Sequence, residues 1–248
     1  MTCLLPGSLD EGLALLAGTP AASPVAGGTE LLPRWSLSVG SPDRVLLDLS
    51  GIRELRWWRL APDHLGIGSL TTFWDTIGDR ALDAEFPLLR LAAQQVGSPL
   101  VQLRGTWGGN IASASPHADG VLALLAYDAV VELRSVRRIR RVALADFQHG
   151  RGATCREADE LVTALYLPRR PRAHHRFHKV TARQGFGRGL VGLALCRDDL
   201  EWRVVVNGVG DLVRRLPTVE QGLAAGFDGA TFEAWLPFQV IATQREPH

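Results

Sequence analysis

Two glycine pairs constrain this chain more than anything else in it. Gly27-Gly28 sits in Pro24-Val25-Ala26-Gly27-Gly28-Thr29-Glu30-Leu31-Leu32-Pro33, where an apolar strand runs into the pair and then into a helical start. Gly108-Gly109 sits in Arg104-Gly105-Thr106-Trp107-Gly108-Gly109-Asn110-Ile111, with Thr106 and Asn110 adding side-chain hydrogen-bonding groups. Glycine tolerates positive φ and carries no Cβ, so such a turn can aim several backbone N–H groups at one point. A diphosphate is the natural guest, and the expectation is that amides from both turns converge on one dinucleotide phosphate bridge. Taken singly, a glycine pair is more often a structural turn.

Neither turn has a common nucleotide signature. The G-x-G-x-x-G pattern is not completed after Gly66-Ile67-Gly68, and the only lysine, Lys179, follows His178, so no G-K-[ST] phosphate loop exists. Rossmann and P-loop folds are disfavoured on that ground. The composition, 46% hydrophobic and 21% charged, is that of a globular chain long enough for one large or two smaller domains. A net charge of +1 gives no global attraction to nucleic acid or to an anionic membrane. Cys3, Cys155 and Cys196 are odd in number and widely spaced, which suits neither a disulfide framework nor a thiolate cage, and a cytoplasmic location is the default expectation. The start MTCLLPGSLDEG lacks a basic n-region and is broken by Pro6 and Gly7, so it does not read as a secretory signal; no apolar run approaches membrane-spanning length.

Along the chain the patterns predict helix at Leu9–Leu16, a short strand at Ser23–Ala26, and strand at Arg44–Leu49. Trp57–Arg59 and Leu65–Ile67 read as a hairpin around Pro62 and Asp63, and Thr71 or Thr72 as the cap of a helix to Ile77, with Asp75 completing a capping box. Phe86–Val96 is helical and ends at Gly97-Ser98-Pro99, and Val121–Ala126 is a further helix. Val130–Leu133 and Val142–Leu144 flank an arginine-rich hairpin tip, Arg134–Arg141. Leu161–Leu167 and Val204–Val206 are strands, and Thr218–Ala225 is a helix stopped by Gly226. A boundary is expected in residues 168–176, PRRPRAHHR.

The pair AGGTELLP and GTWGGNIASASPHAD resembles the paired FAD-binding motifs of the flavin subunits of molybdenum hydroxylases, the family of carbon monoxide dehydrogenase medium subunits and xanthine dehydrogenase flavin domains. GSPLVQLRGTWGGN, LALLAYDAVVEL, ADFQHG, DELVTALYLP and FHKVTARQ follow in that family's order, so the resemblance covers residues 1 to about 226. It implies an α+β chain: a two-subdomain FAD-binding fold of the PCMH/VAO type over residues 1–168 (subdomains about 1–55 and 56–168), then a small C-terminal α+β domain, 169–248, with an antiparallel sheet. By position, Ala26, Gly27, Gly28, Thr29, Glu30 and Leu31 would line the diphosphate and ribityl region, with Thr106, Gly108, Gly109, Asn110 and Ser115 closing over it. Asp119, the apolar Val96 and Val162, and Lys179 near the flavin ring complete the implied FAD set, with no catalytic side chain and no metal ligand. The implied partners are a molybdenum-cofactor subunit and a [2Fe-2S] subunit in a hetero-oligomer, with no nucleic acid and no membrane insertion.

The residues also have plainer readings. Asp119 is a candidate N-cap for the helix that follows it. Lys179 could be a solvated lysine or an ammonium that stabilises a reduced flavin anion. His174, His175 and His178 have no Cys, Asp or Glu within five residues and read as a polar linker; the arginines of 134–141 read as a solvated tip, or as a dock for an acidic partner. Phe177 replaces the family's aromatic hydroxyl, and Trp107 a smaller residue, so that its ring presses on the cofactor edge or on a neighbour. After Gly226 the sequence shows no sign of the terminal helical segment that the family implies, and the expectation is a shortened C-terminal domain. Against the electron-transfer reading stand a flavin-free scaffold of the same fold and a free-standing NAD(P)H-dependent flavin reductase.

Overall fold

The computed structural model describes residues 2–19, 21–36, 44–181, 189–199 and 201–226. The truncated end read from residues 227–248 lies outside the described residues.

The chain opens with β1 (Thr2–Leu4), α1 (Leu9–Gly18), β2 (Ala22–Val25), α2 (Leu31–Ser36) and β3 (Val45–Asp48). The three strands form a parallel sheet in the order β1-β3-β2, with Val25 paired to Asp48 at the end from which the first glycine turn departs. Ser8 caps α1 by accepting from the Glu11 amide, and Leu9, Leu13 and Leu16 form the helical stripe that meets Leu47, Ile52 and Leu55 in the core.

Then come β4 (Trp58–Leu60), β5 (His64–Gly68), α3 (Phe73–Thr76), α4 (Arg80–Glu85), α5 (Pro87–Gln95), α6 (Pro99–Arg104), α7 (Trp107–Ala112) and α8 (Asp119–Ala126). They are followed by β6 (Val130–Arg134), β7 (Ile139–Ala143), α9 (Leu144–Phe147), β8 (Gln148–Gly150), β9 (Ala153–Thr154) and β10 (Leu161–Pro168). Five of these strands make an antiparallel sheet, β4-β5-β10-β6-β7. Period-two alternation sends Leu65, Ile67, Val131, Leu133, Leu165 and Leu167 to one buried face, where α5, α7 and α8 residues cover them. The capping box forms as expected, with Thr72 accepting from the Asp75 amide and Asp75 from that of Thr72. Pro99 does more than end a helix. At the first position of α6, where its missing N–H costs nothing, it starts another.

The last sheet is β11 (Arg172–Thr181), β12 (Gly189–Asp198), β13 (Trp202–Asn207) and β14 (Arg214–Arg215), antiparallel in chain order, followed by α10 (Pro217–Ala224). It closes over α8, all of whose eight residues are buried; a helix apolar on every side needs cover on every side. Ala194, Cys196, Val205 and Val213 thereby join the core of the five-stranded sheet.

One expectation is overturned and another is refined. The histidine segment is not a linker: His174, His175 and His178 belong to β11, where His175 packs against Tyr127 and His174 against Trp202. The arginine tip is exposed, as expected, but its cations are paired. Arg137 bonds Asp159 and Glu157, Arg138 pairs with Glu157, and Arg140 makes two 2.7 Å bonds to Glu160, whose side chain is fully buried. The carboxylates of Glu157, Asp159 and Glu160, distant in sequence, meet these cations once β10 pairs with β6.

Candidate FAD site

The first glycine turn leaves β2 at Val25 and touches the chain just before the second. A Cβ on Gly27 would lie 1.8 Å from the Arg104 carbonyl oxygen, and Arg104 Nε donates to the Gly27 carbonyl at 3.3 Å. Only glycine permits that approach. Gly28 follows with φ +68°, a conformation that points successive amides the same way. Among the described residues, the amides of Gly27, Gly28, Thr29 and Glu30 donate to no protein acceptor. Backbone donors are seldom left so, and four in succession make a concave anion-binding surface.

The second turn is built differently from the expectation. Trp107 N–H donates to the Thr71 carbonyl, Gly108 N–H to that of Ser69, and Gly109 N–H to Thr106 Oγ1, all at 3.0 Å. The start of α7 thus satisfies its own amides and has none of these three to offer a ligand. What it presents is side-chain chemistry. The Asn110 side chain lines the cleft, although its Oδ1 atom is turned into the protein against Gly120, buried and without a partner. Thr106 Oγ1, already accepting from Gly109, keeps its own hydrogen to give.

Between the turns lies a cleft of about 600 Å³. That is within the range of small-molecule sites. Eleven of the sequence-predicted residues line it: Ala26, Gly27, Gly28, Thr29, Glu30, Leu31, Val96, Thr106, Gly109, Asn110 and Ser115. Phe73, Gly97, Val101, Arg34, Ser113 and His117 line it too. Of these, Ser113 and His117 fall inside the quoted loop motif and Gly97 and Val101 in the GSPLVQLRGTWGGN stretch that leads into it; Phe73 comes from a helix whose sequence gives no sign of the cleft. Arg34 forms an ion pair with Glu30 one helical turn away, so the Glu30 carboxylate does not stand as a bare charge facing an anion.

Four predicted residues stand outside that lining. Gly108 packs on protein, since a Cβ there would come within 2.6 Å of Ser69 Cβ. Val162 lies in the core on β10, opposite Leu133. Asp119 is the first residue of α8 and not its cap, which is Ala118. Lys179 is no solvated lysine: its Nζ lies 2.6 Å from Asp119 Oδ2 and donates to the Gln95 carbonyl at 2.8 Å, one residue before the cleft wall at Val96. Burial pushes the Asp119 carboxyl above its ordinary range, and the Lys179 ammonium opposes that rise. Trp107 presses on a neighbour, its buried ring edge-on to Phe73 at 4.8 Å. No group of three metal-ligating side chains occurs among the described residues.

A profile described as the FAD binding domain in molybdopterin dehydrogenase matches residues 1–170 of this chain. The chain belongs to that family. Within the FAD-binding family of molybdopterin dehydrogenases, it is 33% identical over 250 residues to a nicotinate dehydrogenase FAD-subunit from Eubacterium barkeri, covering 94% of this chain and 82% of that one. It is 35% identical over 168 residues to the xanthine dehydrogenase FAD-binding subunit of Escherichia coli O157:H7, covering 67% of this chain and 57% of that subunit. A chain of the solved Cu,Mo-CO dehydrogenase superposes with a TM-score of 0.86 at 25% identity, covering 94% of this chain and 84% of that one. A chain of quinoline 2-oxidoreductase from Pseudomonas putida 86 does so at 0.79 and 26%, covering 87% and 76%. The fold is therefore that of a molybdenum-hydroxylase flavin subunit, and the family's cofactor is FAD.

The cleft fits that cofactor on its own terms: four free amides suit a diphosphate, the Thr106 hydroxyl has a hydrogen to give, and a glycine-only contact joins the two turns.

Proposed function

We propose that this chain is the electron-transfer flavin subunit of a molybdenum hydroxylase complex, receiving electrons from a [2Fe-2S] subunit and delivering them to an external acceptor. The observation that carries the reading is the run of four free amides in residues that line a cleft shared with Thr106 and Asn110. In this reading residues 26–30 hold the FAD diphosphate through backbone N–H groups, and Thr106 and Asn110 bind the polar stem. Phe73, Val96 and Val101 keep water from the apolar part of the cleft. Gly108, Asp119, Val162 and Lys179 serve from behind the lining, the last by fixing the Gln95–Val96 wall.

FAD, when bound, supplies the redox chemistry, which no side chain here needs to provide. Residues 1–168 form its domain, in two parts near 1–55 and 56–168, and residues 169–248 form a second. No helix among the described residues is long and apolar enough to cross a membrane, in keeping with a cytoplasmic complex containing a molybdenum-cofactor subunit.

The test is the visible spectrum of the purified chain after incubation with FAD and removal of excess. One oxidised flavin per chain is expected, together with slow or no NAD(P)H oxidation by the isolated chain. A colourless protein indifferent to FAD would leave a scaffold instead, and rapid NAD(P)H oxidation a flavin reductase.

A further inference from the structure

The outer face of the five-stranded sheet carries a second concavity, of about 450 Å³, lined by Trp57, Arg59, His64, Gly66, Arg141 and Tyr166. None of these lines the FAD cleft. Register explains how it arises. Gly66 on β5 is paired with Arg59 on β4 and with Tyr166 on β10, so the three stand in one row across the sheet with a missing side chain in the middle. The gap is walled by rings: a Cβ on Gly66 would lie 2.9 Å from the Trp57 ring and 3.6 Å from that of Tyr166.

The charges around this gap are unequal in their freedom. Arg141 stacks 4.0 Å from the Tyr166 centroid and is bonded to Glu132, which also accepts from the Tyr166 hydroxyl. His64 meets Tyr166 edge-on and is bonded to Asp63 at 2.8 Å. The exposed Arg59 side chain has no hydrogen bond or ion pair among the described residues. The site thus combines an indole 37% exposed, a phenol fixed by its hydroxyl, and one guanidinium free to bind an anion.

We propose that this concavity binds a nucleoside phosphate, with the base against Trp57 and the phosphate on Arg59. Aromatic faces accept any base, and a free guanidinium meets phosphate oxygens with two parallel N–H bonds. The volume suits one base, sugar and phosphate. An acidic peptide would need an open groove and more than one free cation.

Calorimetric titration of the FAD-saturated chain with adenosine monophosphate tests this, because saturation blocks entry into the flavin cleft. One equivalent should bind, about tenfold or more tighter than adenosine or inorganic phosphate alone, with Arg59→Glu weakening it at least about tenfold at unchanged flavin content. Trp57→Leu should weaken adenosine monophosphate and adenosine but not phosphate. The proposal is overturned if no binding is seen, if phosphate binds as well as the nucleotide, if Arg59→Glu leaves affinity intact, or if the nucleotide displaces flavin. The outcome is independent of whether flavin relays electrons.

Discussion

Lys179 Nζ lies 2.6 Å from Asp119 Oδ2, and both side chains are less than a tenth exposed. One residue comes from β11 and the other from the first turn of α8, while the same ammonium also binds the Gln95 carbonyl near the end of α5. Three elements thus meet at one charge, placed where helix dipoles favour it: a carboxylate at a helix start, a cation at a helix end.

Removing the cation leaves a buried carboxylate with only a long contact from Asn207. Lys179→Met is expected to cost about 3–5 kcal/mol at neutral pH. Burial already raises the Asp119 carboxyl, so the folded state keeps its proton to higher pH than the unfolded chain does, and stability falls as pH rises through that interval. Without Lys179 the rise is larger, so the deficit should shrink as pH falls toward the ordinary value of 3.8. Urea midpoints at several pH values would decide it; a deficit constant with pH would count against the account. Arg in place of Lys should not restore the geometry.

Glu160 behaves in the opposite sense. Arg140 holds its carboxyl below the ordinary value of 4.5, so the stability it contributes is present above that value and lost as pH falls through the folded one. Glu160→Gln should cost about 1.5–3 kcal/mol at pH 7, and its acid-denaturation curve should merge with that of the parent at low pH.

Gly27→Ala places a methyl where the Arg104 carbonyl already sits. Overpacking of this kind costs about 1–3 kcal/mol, and the parting of the two turns should lower flavin retention far more than that loss alone would. Gly18→Ala is the control: nothing lies within 4 Å of the added atom, and the effect should stay within about 0.5 kcal/mol. Flavin absorbance per chain and thermal midpoint, measured on both variants, separate the two effects.

Thr106 caps α7 through Gly109 and lines the cleft at once. Thr106→Ala should cost about 0.5–2 kcal/mol and weaken flavin binding, while Thr106→Ser should restore both. Restored stability with lost flavin binding would show that the methyl and not the hydroxyl matters in the cleft.

The sequence was most legible where one chemical rule governs a short stretch. The capping box at Thr72 and Asp75 forms as expected, the Trp57 hairpin forms around Pro62 and Asp63, and the Leu161 strand stops at Pro168. It was least legible where partners are far apart. Nothing in 134–141 reveals that Glu157, Asp159 and Glu160 wait for those arginines, and a segment rich in proline and histidine gave no sign that His174 and His175 would join a strand packed on Tyr127 and Trp202.

The glycine turns divide in the same way. Sequence alone determined that the backbone near residues 27 and 108 must come close to something, because only a residue without Cβ allows it. Tertiary structure decided what that something is. Gly27 meets the Arg104 carbonyl and Gly108 meets Ser69, while the amides left without a protein acceptor belong to the first turn. The reason is physical: local rules fix which groups a turn can offer, but whether an N–H is free depends on which carbonyl the rest of the fold brings within 3 Å of it.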